Sequence, residues 1–196
     1  METGVLSPFS SVDGKVKIHE IYDFLIRDEA RNMLIFEDVM KCIAEEKRSP
    51  IILTERRDHL EILAEKFRAF VKHVLVFQGG LGRKQRQTLY EKMRSIPDGE
   101  DRLLIATGRY LGEGFDDARL DTLFLTLPIS WKGTLAQYAG RLHRQHYGKR
   151  EVRIYDYVDS GIPLLEKMQH RRISGYRSIG YEIVSDRRLN KQISRA

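Results

Sequence analysis

Leu103-Leu104-Ile105-Ala106-Thr107-Gly108-Arg109-Tyr110-Leu111-Gly112-Glu113-Gly114-Phe115-Asp116-Asp117 joins an unbroken apolar run to a loop with three glycines in seven residues. The run from Leu103 to Ala106 shows no polar alternation, so a strand formed by it must be buried on both faces, as in a parallel sheet covered by helices. The loop lets backbone amides approach a ligand closely, with the Thr107 hydroxyl and the Asp116 carboxylate at its ends. A tight structural turn would use the same glycines, and the surrounding pattern has to decide between the two.

Outward from this run the same rhythm repeats. Short apolar segments at Ile51 to Leu53, Val74 to Phe77, Thr122 to Leu125 and Val152 to Val158 alternate with helical patterns. Leu60, Leu63, Ala64, Phe67 and Val71 form one helical stripe, and Leu89, Met93 and Ile96 form another. Such βαβ alternation predicts a doubly wound parallel sheet with right-handed crossovers. The loops Thr54 to Arg57, Gln78 to Gly82, Thr107 to Asp116 and the one leading into Gln137 then open along one sheet edge, where folds of this kind bind ligands. Two helices precede the sheet, with stripes at Ile18, Ile21, Tyr22, Leu25 and Ile26 and at Phe36, Val39, Met40 and Ile43; Pro50 is expected to close this helical part. A further helix begins at Gly161-Ile162-Pro163, with proline suited to a first turn, and a short strand is expected over Tyr181 to Val184.

Gln137-Tyr138-Ala139-Gly140-Arg141-Leu142-His143-Arg144 reads Q-x-x-G-R-x-x-R. At helical spacing Leu135, Tyr138, Ala139 and Leu142 face a core, while Gln137, Gly140, Arg141 and Arg144 face the other way. Two guanidinium forks and an amide on one side suit a polyphosphate. A solvated basic helix would show the same charges.

Taken together and in this order, these segments resemble the C-terminal, second RecA-like lobe of superfamily 2 helicases and translocases. Pro50-Ile51-Ile52-Leu53-Thr54-Glu55-Arg56 is similar to helicase motif IV, Phe77-Gln78-Gly79-Gly80 to the backbone-contacting turn after it, Ala106 to Asp116 to motif V, and Gln137 to Arg144 to motif VI. The glutamine that opens motif VI resembles the restriction-enzyme and repair-type branch, which implies DNA rather than RNA. The resemblance implies a RecA-like three-layer α/β fold with a mainly parallel sheet flanked by helices, plus an N-terminal helical lead-in. Its boundaries would be a flexible leader over 1–14, the lead-in over 15–50, the RecA-like domain over 51–160 and a basic extension over 161–196. It implies catalytic roles for Arg144 as arginine finger, Arg141 as its companion and Gln137 as an orienting group. ATP would be bordered by Glu113, Gly114 and Asp116, and a nucleic-acid backbone would meet Thr107, Gly79 and Arg56.

A phosphate cradle is missing from the sequence. No G-x-x-x-x-G-K-[ST] occurs: Gly79-Gly80-Leu81-Gly82-Arg83-Lys84 lacks the lysine–hydroxyl ending, and Gly148-Lys149-Arg150 lacks the leading glycine. Asp28-Glu29-Ala30-Arg31 imitates an acidic metal box, but it lies in a helical pattern and reads as helix surface. ATP and Mg²⁺ are therefore expected only together with a P-loop-containing first lobe, in cis or in trans. No G-x-G-x-x-G follows the first strand, which argues against a self-contained dinucleotide enzyme.

The 196 residues are enough for one full core. Of the net charge of +6, residues 141 to 196 carry 13 Lys/Arg against 6 Asp/Glu, leaving 21 against 22 for residues 1 to 140. That asymmetry predicts a phosphate-backbone partner for the C-terminal portion. The single cysteine, Cys42, reads as a small core residue, and no Cys/His spacing fits a metal. His59, His73, His143, His146 and His170 lack catalytic partners at motif spacing, His143 being expected to make a plain hydrogen bond, and Trp131 reads as a packing anchor. No apolar run nears the ~18 residues that cross a bilayer, so no membrane role is expected and the location reads as cytoplasmic. The leading expectation is the second motor lobe of an ATP-dependent DNA helicase or translocase. The competing one is a non-enzymatic module of helicase-like fold that binds nucleic acid or protein.

Overall fold

The computed structural model describes residues 17–108, 115–129 and 134–184. Within them, strands β1 (Pro50–Thr54), β2 (His73–Phe77), β3 (Arg102–Thr107), β4 (Thr122–Leu125) and β5 (Arg153–Asp156) form one all-parallel sheet ordered β2-β3-β1-β4-β5. The helices are α1 (Ile18–Leu25), α2 (Glu29–Ala44), α3 (Arg57–Arg68), α4 (Arg83–Ser95), α5 (Thr134–Leu142) and α6 (Pro163–Ser178). This is the three-layer α/β arrangement expected from the alternating pattern.

Position in the sheet explains each strand's composition. The three inner strands are nearly continuous in apolar residues, and all of β1 and β4 is buried. The edge strand β5 is half-buried along its length, carries Arg153 and Asp156, and is shorter than its apolar flanks suggested. Pro50 opens β1 instead of closing the helical segment, at the first strand position, where its missing N–H costs no ladder bond.

Alternating residues feed two cores. Ile51, Leu53, Leu104, Ala106, Leu123 and Leu125 meet Met93 of α4, Leu135 and Tyr138 of α5 and Tyr176 of α6. Ile52, Leu103, Ile105 and Phe124 meet Ile35, Val39 and Ile43 of α2 and Leu63 and Phe67 of α3. Thus α2 covers one sheet face beside α3, while α4, α5 and α6 cover the other. α1 caps a smaller cluster in which Ile21, Leu25 and Ile26 join Leu127, Ile162 and Leu165. Cys42 is buried, and burial pushes its thiol up to about 12, so it is an apolar filler and a poor nucleophile. No helix among the described residues is long and apolar enough to cross a membrane.

Several charges lie deeper than their spacing suggested. Asp28 caps α2 by accepting from Arg31 N at 2.8 Å, and Glu29 and Ala30 are exposed. Arg31, however, is fully buried and donates to both oxygens of Asp159, at 2.8 and 3.2 Å. Arg172 is likewise buried, held bidentately by Asp156 at 2.7 and 2.9 Å. Two of the cations assigned by composition to a basic surface are therefore internal or paired, since Arg153 meets Glu46 at 2.6 Å. A further exposed positive row lies on α4, whose sequence holds five Lys/Arg against one Glu. Tyr181 to Val184 forms no strand: α6 ends, Gly180 turns the chain at φ 88°, and the Tyr181 hydroxyl meets His143 Nε2 at 2.9 Å.

His59 has partners that no sequence motif announced. Its Nδ1 lies 3.1 Å from Thr54 Oγ1 and its Nε2 3.0 Å from Asn32 Oδ1, while Asn32 Nδ2 donates to Ile26 O at 2.9 Å. With the Asn32 oxygen facing the ring, Nε2 carries the proton and Nδ1 accepts from the Thr54 hydroxyl. Burial, and then the charge of Arg31, push the imidazole pKa down to about 3. The unfolded chain therefore binds a proton below about pH 6.5 that the folded chain refuses. The stability this neutral histidine contributes is complete above that pH and is lost as pH falls towards 3. A His59→Gln variant is expected to show a denaturation midpoint whose pH slope between those limits is lower by up to one proton. An unchanged slope would mean that His59 does not titrate on unfolding.

Candidate nucleotide and nucleic-acid site

Helix α5 follows β4 and packs on the sheet face it shares with α4 and α6. Leu135, Tyr138, Ala139 and Leu142 are buried, Gln137 and Gly140 are exposed and Arg141 is half-buried, so the helix carries the two faces its spacing predicted. It stops at Leu142, and Arg144 sits in the turn beyond it. The stop has a local cause. Lys149 Nζ donates to Leu142 O at 2.6 Å and to Arg144 O at 2.7 Å, satisfying carbonyls that the ended helix leaves open.

Three side chains of this segment grip the two ends of the glycine-rich loop. The Tyr138 hydroxyl donates to Gly108 O, Arg141 Nη1 donates to Phe115 O, and Arg144 Nη1 pairs with the Asp116 carboxylate. Burial, with help from the nearby Glu55 charge, pushes the Tyr138 pKa up to about 12, so the hydroxyl stays a donor. Arg144 and Asp116 are each about half exposed, at 48% and 52% of the side chain, so a solvent anion can reach the pair. Glu113 and Gly114 lie outside the described residues, as does Trp131.

The loop's descending arm is fixed from below. Asp117 is buried between Arg102 and Arg119, with Arg119 Nε 3.0 Å from Oδ1. Burial works to raise its carboxyl, but the two guanidinium groups outweigh it and hold the pKa below the usual range. Arg119 also donates to Ile96 O and Met93 O, each at 2.8 Å, which ties the loop to the end of α4. Arg102 lies 15 positions from Asp117, and Ile96 and Met93 lie 23 and 26 from Arg119, so no motif announced these contacts.

Gly79 and Arg56 follow β2 and β1 and Thr107 ends β3, three neighbouring strands, so the fold places them along one edge. Gly79 is exposed and Thr107 half-buried. Arg56 is held by Asp23 of α1 at 2.5 Å. At Gly108 an added Cβ would meet the carboxylate at the far end of the Glu55 side chain, so a larger residue there requires that side chain to shift. Among the described residues no three His, Cys, Asp or Glu side chains gather as a metal site.

The helicase conserved C-terminal domain profile matches residues 29–146, from the start of α2 to just past Arg144. Similar solved structures include the C-terminal part of the Fun30 ATPase domain, with TM-score 0.62 and 16% identity, covering 74% of this chain and 45% of that one. UvsW of T4 aligns with TM-score 0.64 and 15% identity over 84% of this chain and 35% of that one. Domain 2 of the DEAD-box helicase Mss116p, solved bound to an RNA duplex, aligns with TM-score 0.52 and 18% identity over 72% and 55%. At such identities the likeness is one of fold, and the chain spans less than two thirds of each of these structures. No curated protein matches the chain significantly.

Proposed function

The chain belongs to the helicase conserved C-terminal domain family, and from that premise we propose that it is the second motor lobe of an ATP-dependent helicase or translocase acting on nucleic acid, DNA in preference to RNA. The observation that supports this most is the grip of α5 on the glycine-rich loop, which sets Arg141 and Arg144 beside Asp116 at a solvent-open edge. A phosphoryl group in transfer gathers charge on its outer oxygens, and forked guanidinium donors stabilise that charge without reorganising. Arg144 is the finger in this reading: it exchanges the Asp116 carboxylate for the terminal phosphate oxygens. Arg141 keeps the helix fixed to the loop and supplies the second positive charge. Gln137, exposed on the same face, orients that end, and Glu113, Gly114 and Asp116 border the nucleotide. ATP with Mg²⁺, when bound, supplies the phosphoryl group and neutralises part of its charge. The cradle for them belongs to a P-loop lobe, in cis or in trans, because the sequence contains no such loop. The cytoplasm or another nucleic-acid-containing compartment is the setting this function requires.

Backbone contacts from Gly79, Thr107 and Arg56 would run along the strand exits and continue onto α4, which starts just after Gly82 and exposes Arg83 and Lys84. A labelled single-stranded DNA is expected to bind the chain weakly, with log affinity falling against log salt at a slope of about −2 for three neutralised phosphates. Reversing Arg83 and Lys84 to glutamate should flatten that slope by at least one unit in anisotropy titrations. Affinity that ignores salt and survives the reversal would remove backbone recognition from this reading, and tighter binding of an RNA of equal sequence would overturn the DNA preference.

A further inference from the structure

Helix α1 touches two strand exits at the edge where Gly79, Thr107 and Arg56 stand. The Tyr22 hydroxyl donates to Pro128 O beyond β4, and Asp23 Oδ1 accepts from Arg56 Nη2 beyond β1 at 2.5 Å. The sheet order β2-β3-β1-β4 puts the exits of β2, β3 and β1 in a row, and α1 stands where that row ends. The helix does not depend on the ion pair for its position, because Ile21, Leu25 and Ile26 are buried with Leu127, Ile162 and Leu165. The pair itself is open to water, with 30% of the Arg56 and 42% of the Asp23 side chain exposed.

Both carboxylates at Arg56 meet the same nitrogen: Asp23 lies 2.5 Å and Asp58 of α3 3.8 Å from Nη2. A guanidinium is held most strongly by an anion that accepts from two of its nitrogens at once, and neither carboxylate does so. Arg56 also immediately precedes α3, whose N-terminus receives no side-chain cap and so favours a nearby anion. A backbone phosphate that closes the fork therefore displaces Asp23. We propose that Asp23 is an autoinhibitory phosphate mimic, a carboxylate that α1 places on Arg56 and that single-stranded DNA must replace in order to bind. The proposal rests on the reading of Arg56 as a backbone contact and adds what occupies it beforehand. Binding becomes an exchange: Arg56 leaves Asp23 for phosphate, the freed carboxylate turns to water, and α1 keeps its apolar seat.

The test is a double-mutant cycle on the intact chain, read by anisotropy of labelled single-stranded DNA at low salt. Asp23→Asn is expected to tighten binding about three- to fivefold, the most that an exposed ion pair withholds. Asp23→Ala, which also removes the acceptor, should do at least as much. Asp58→Asn removes the same charge from the longer contact and should have less than half that effect. In the Arg56→Ala background Asp23→Asn should bring no gain. A gain that persists there, or one matched by Asp58→Asn, would reduce the effect to general charge repulsion and overturn the mimic. No gain from either Asp23 variant, while Arg56→Ala still weakens the wild type, would overturn the mimic and leave Arg56 as a backbone contact. Arg56→Ala without effect in either background would remove that contact and the mimic with it. Amide exchange separates the carboxylate from the helix that carries it. In Asp23→Asn, Ile18–Leu25 should exchange at the wild-type rate, and a gain in affinity that comes with fast exchange there would make α1 itself the obstacle and overturn the role given to Asp23.

Discussion

Arg144→Ala, tested in the assembly of this chain with the P-loop lobe that completes it, is expected to lower kcat for ATP hydrolysis by about 10³- to 10⁵-fold. KM should move by only a few-fold, because a group that meets charge developed in the transition state contributes little to ground-state binding. The geometry distinguishes Arg144 from its neighbour. Arg144 stands beyond the end of α5, its carbonyl fixed by Lys149 and its guanidinium on a half-exposed carboxylate, so it can change partners without unwinding the helix. Arg141 donates to a backbone oxygen at Phe115, so Arg141→Ala loosens the loop as well as removing charge and should affect KM and kcat together. Arg144→Lys keeps the charge, loses the fork, and should recover only a small part of the rate. The chain by itself should hydrolyse no ATP above background. Robust hydrolysis by the isolated chain, abolished by Arg144→Ala, would falsify the half-site, and a loss of only a few-fold in the assembly would deprive Arg144 of the finger role.

The parts of this molecule that were legible in the sequence are those governed by continuous burial. Ile51 to Leu53 and Leu103 to Ala106 are apolar on both faces because each becomes an inner strand with helices above and below. The period of Leu135, Tyr138, Ala139 and Leu142 announced the helix on which Arg141 rides. The boundary between Leu142 and Arg144 was not legible, since it depends on Lys149, a side chain that reaches back from the next turn. Nor were the depths of Arg31 and Arg172. A charge in a sequence reads as surface, and only the distant Asp159 and Asp156, brought close by the sheet, make burial affordable. Splitting the chain at residue 140 hid the α4 cations, because acidic residues elsewhere in the first part cancel them in the sum. His59 looked idle because its partners Thr54 and Asn32 lie on different elements.

Asp159→Ala is expected to destabilise the fold by about 3–5 kcal/mol, the range for removing one partner of a buried ion pair. Neither side chain of the Arg31–Asp159 pair has any exposed surface, and the two are 128 positions apart. The pair joins the first turn of α2 to the segment between β5 and α6, so its loss is felt by both ends of the described chain. Arg31 has nowhere else to go: its Nη1 already lacks a hydrogen-bond partner, and the Tyr157 ring below it, centred 6.0 Å away, cannot replace a carboxylate. The origin of the loss can be separated from packing. Replacing both partners with apolar side chains of similar volume, Arg31→Met with Asp159→Leu, removes the stranded charge and should recover most of the stability. Urea denaturation should report these differences as shifts in midpoint at constant m. The exposed Arg68–Glu65 pair, at 58% and 79% side-chain exposure, is the control, and Arg68→Ala should stay within about 0.5 kcal/mol. A cost for Asp159→Ala no greater than the control's would mean that water reaches Arg31. Because Asn32, the next residue, holds His59 and through it Thr54 at the end of β1, amide exchange in Asp159→Ala should quicken in α2 and at Thr54 before it does in β2, the strand farthest from the break.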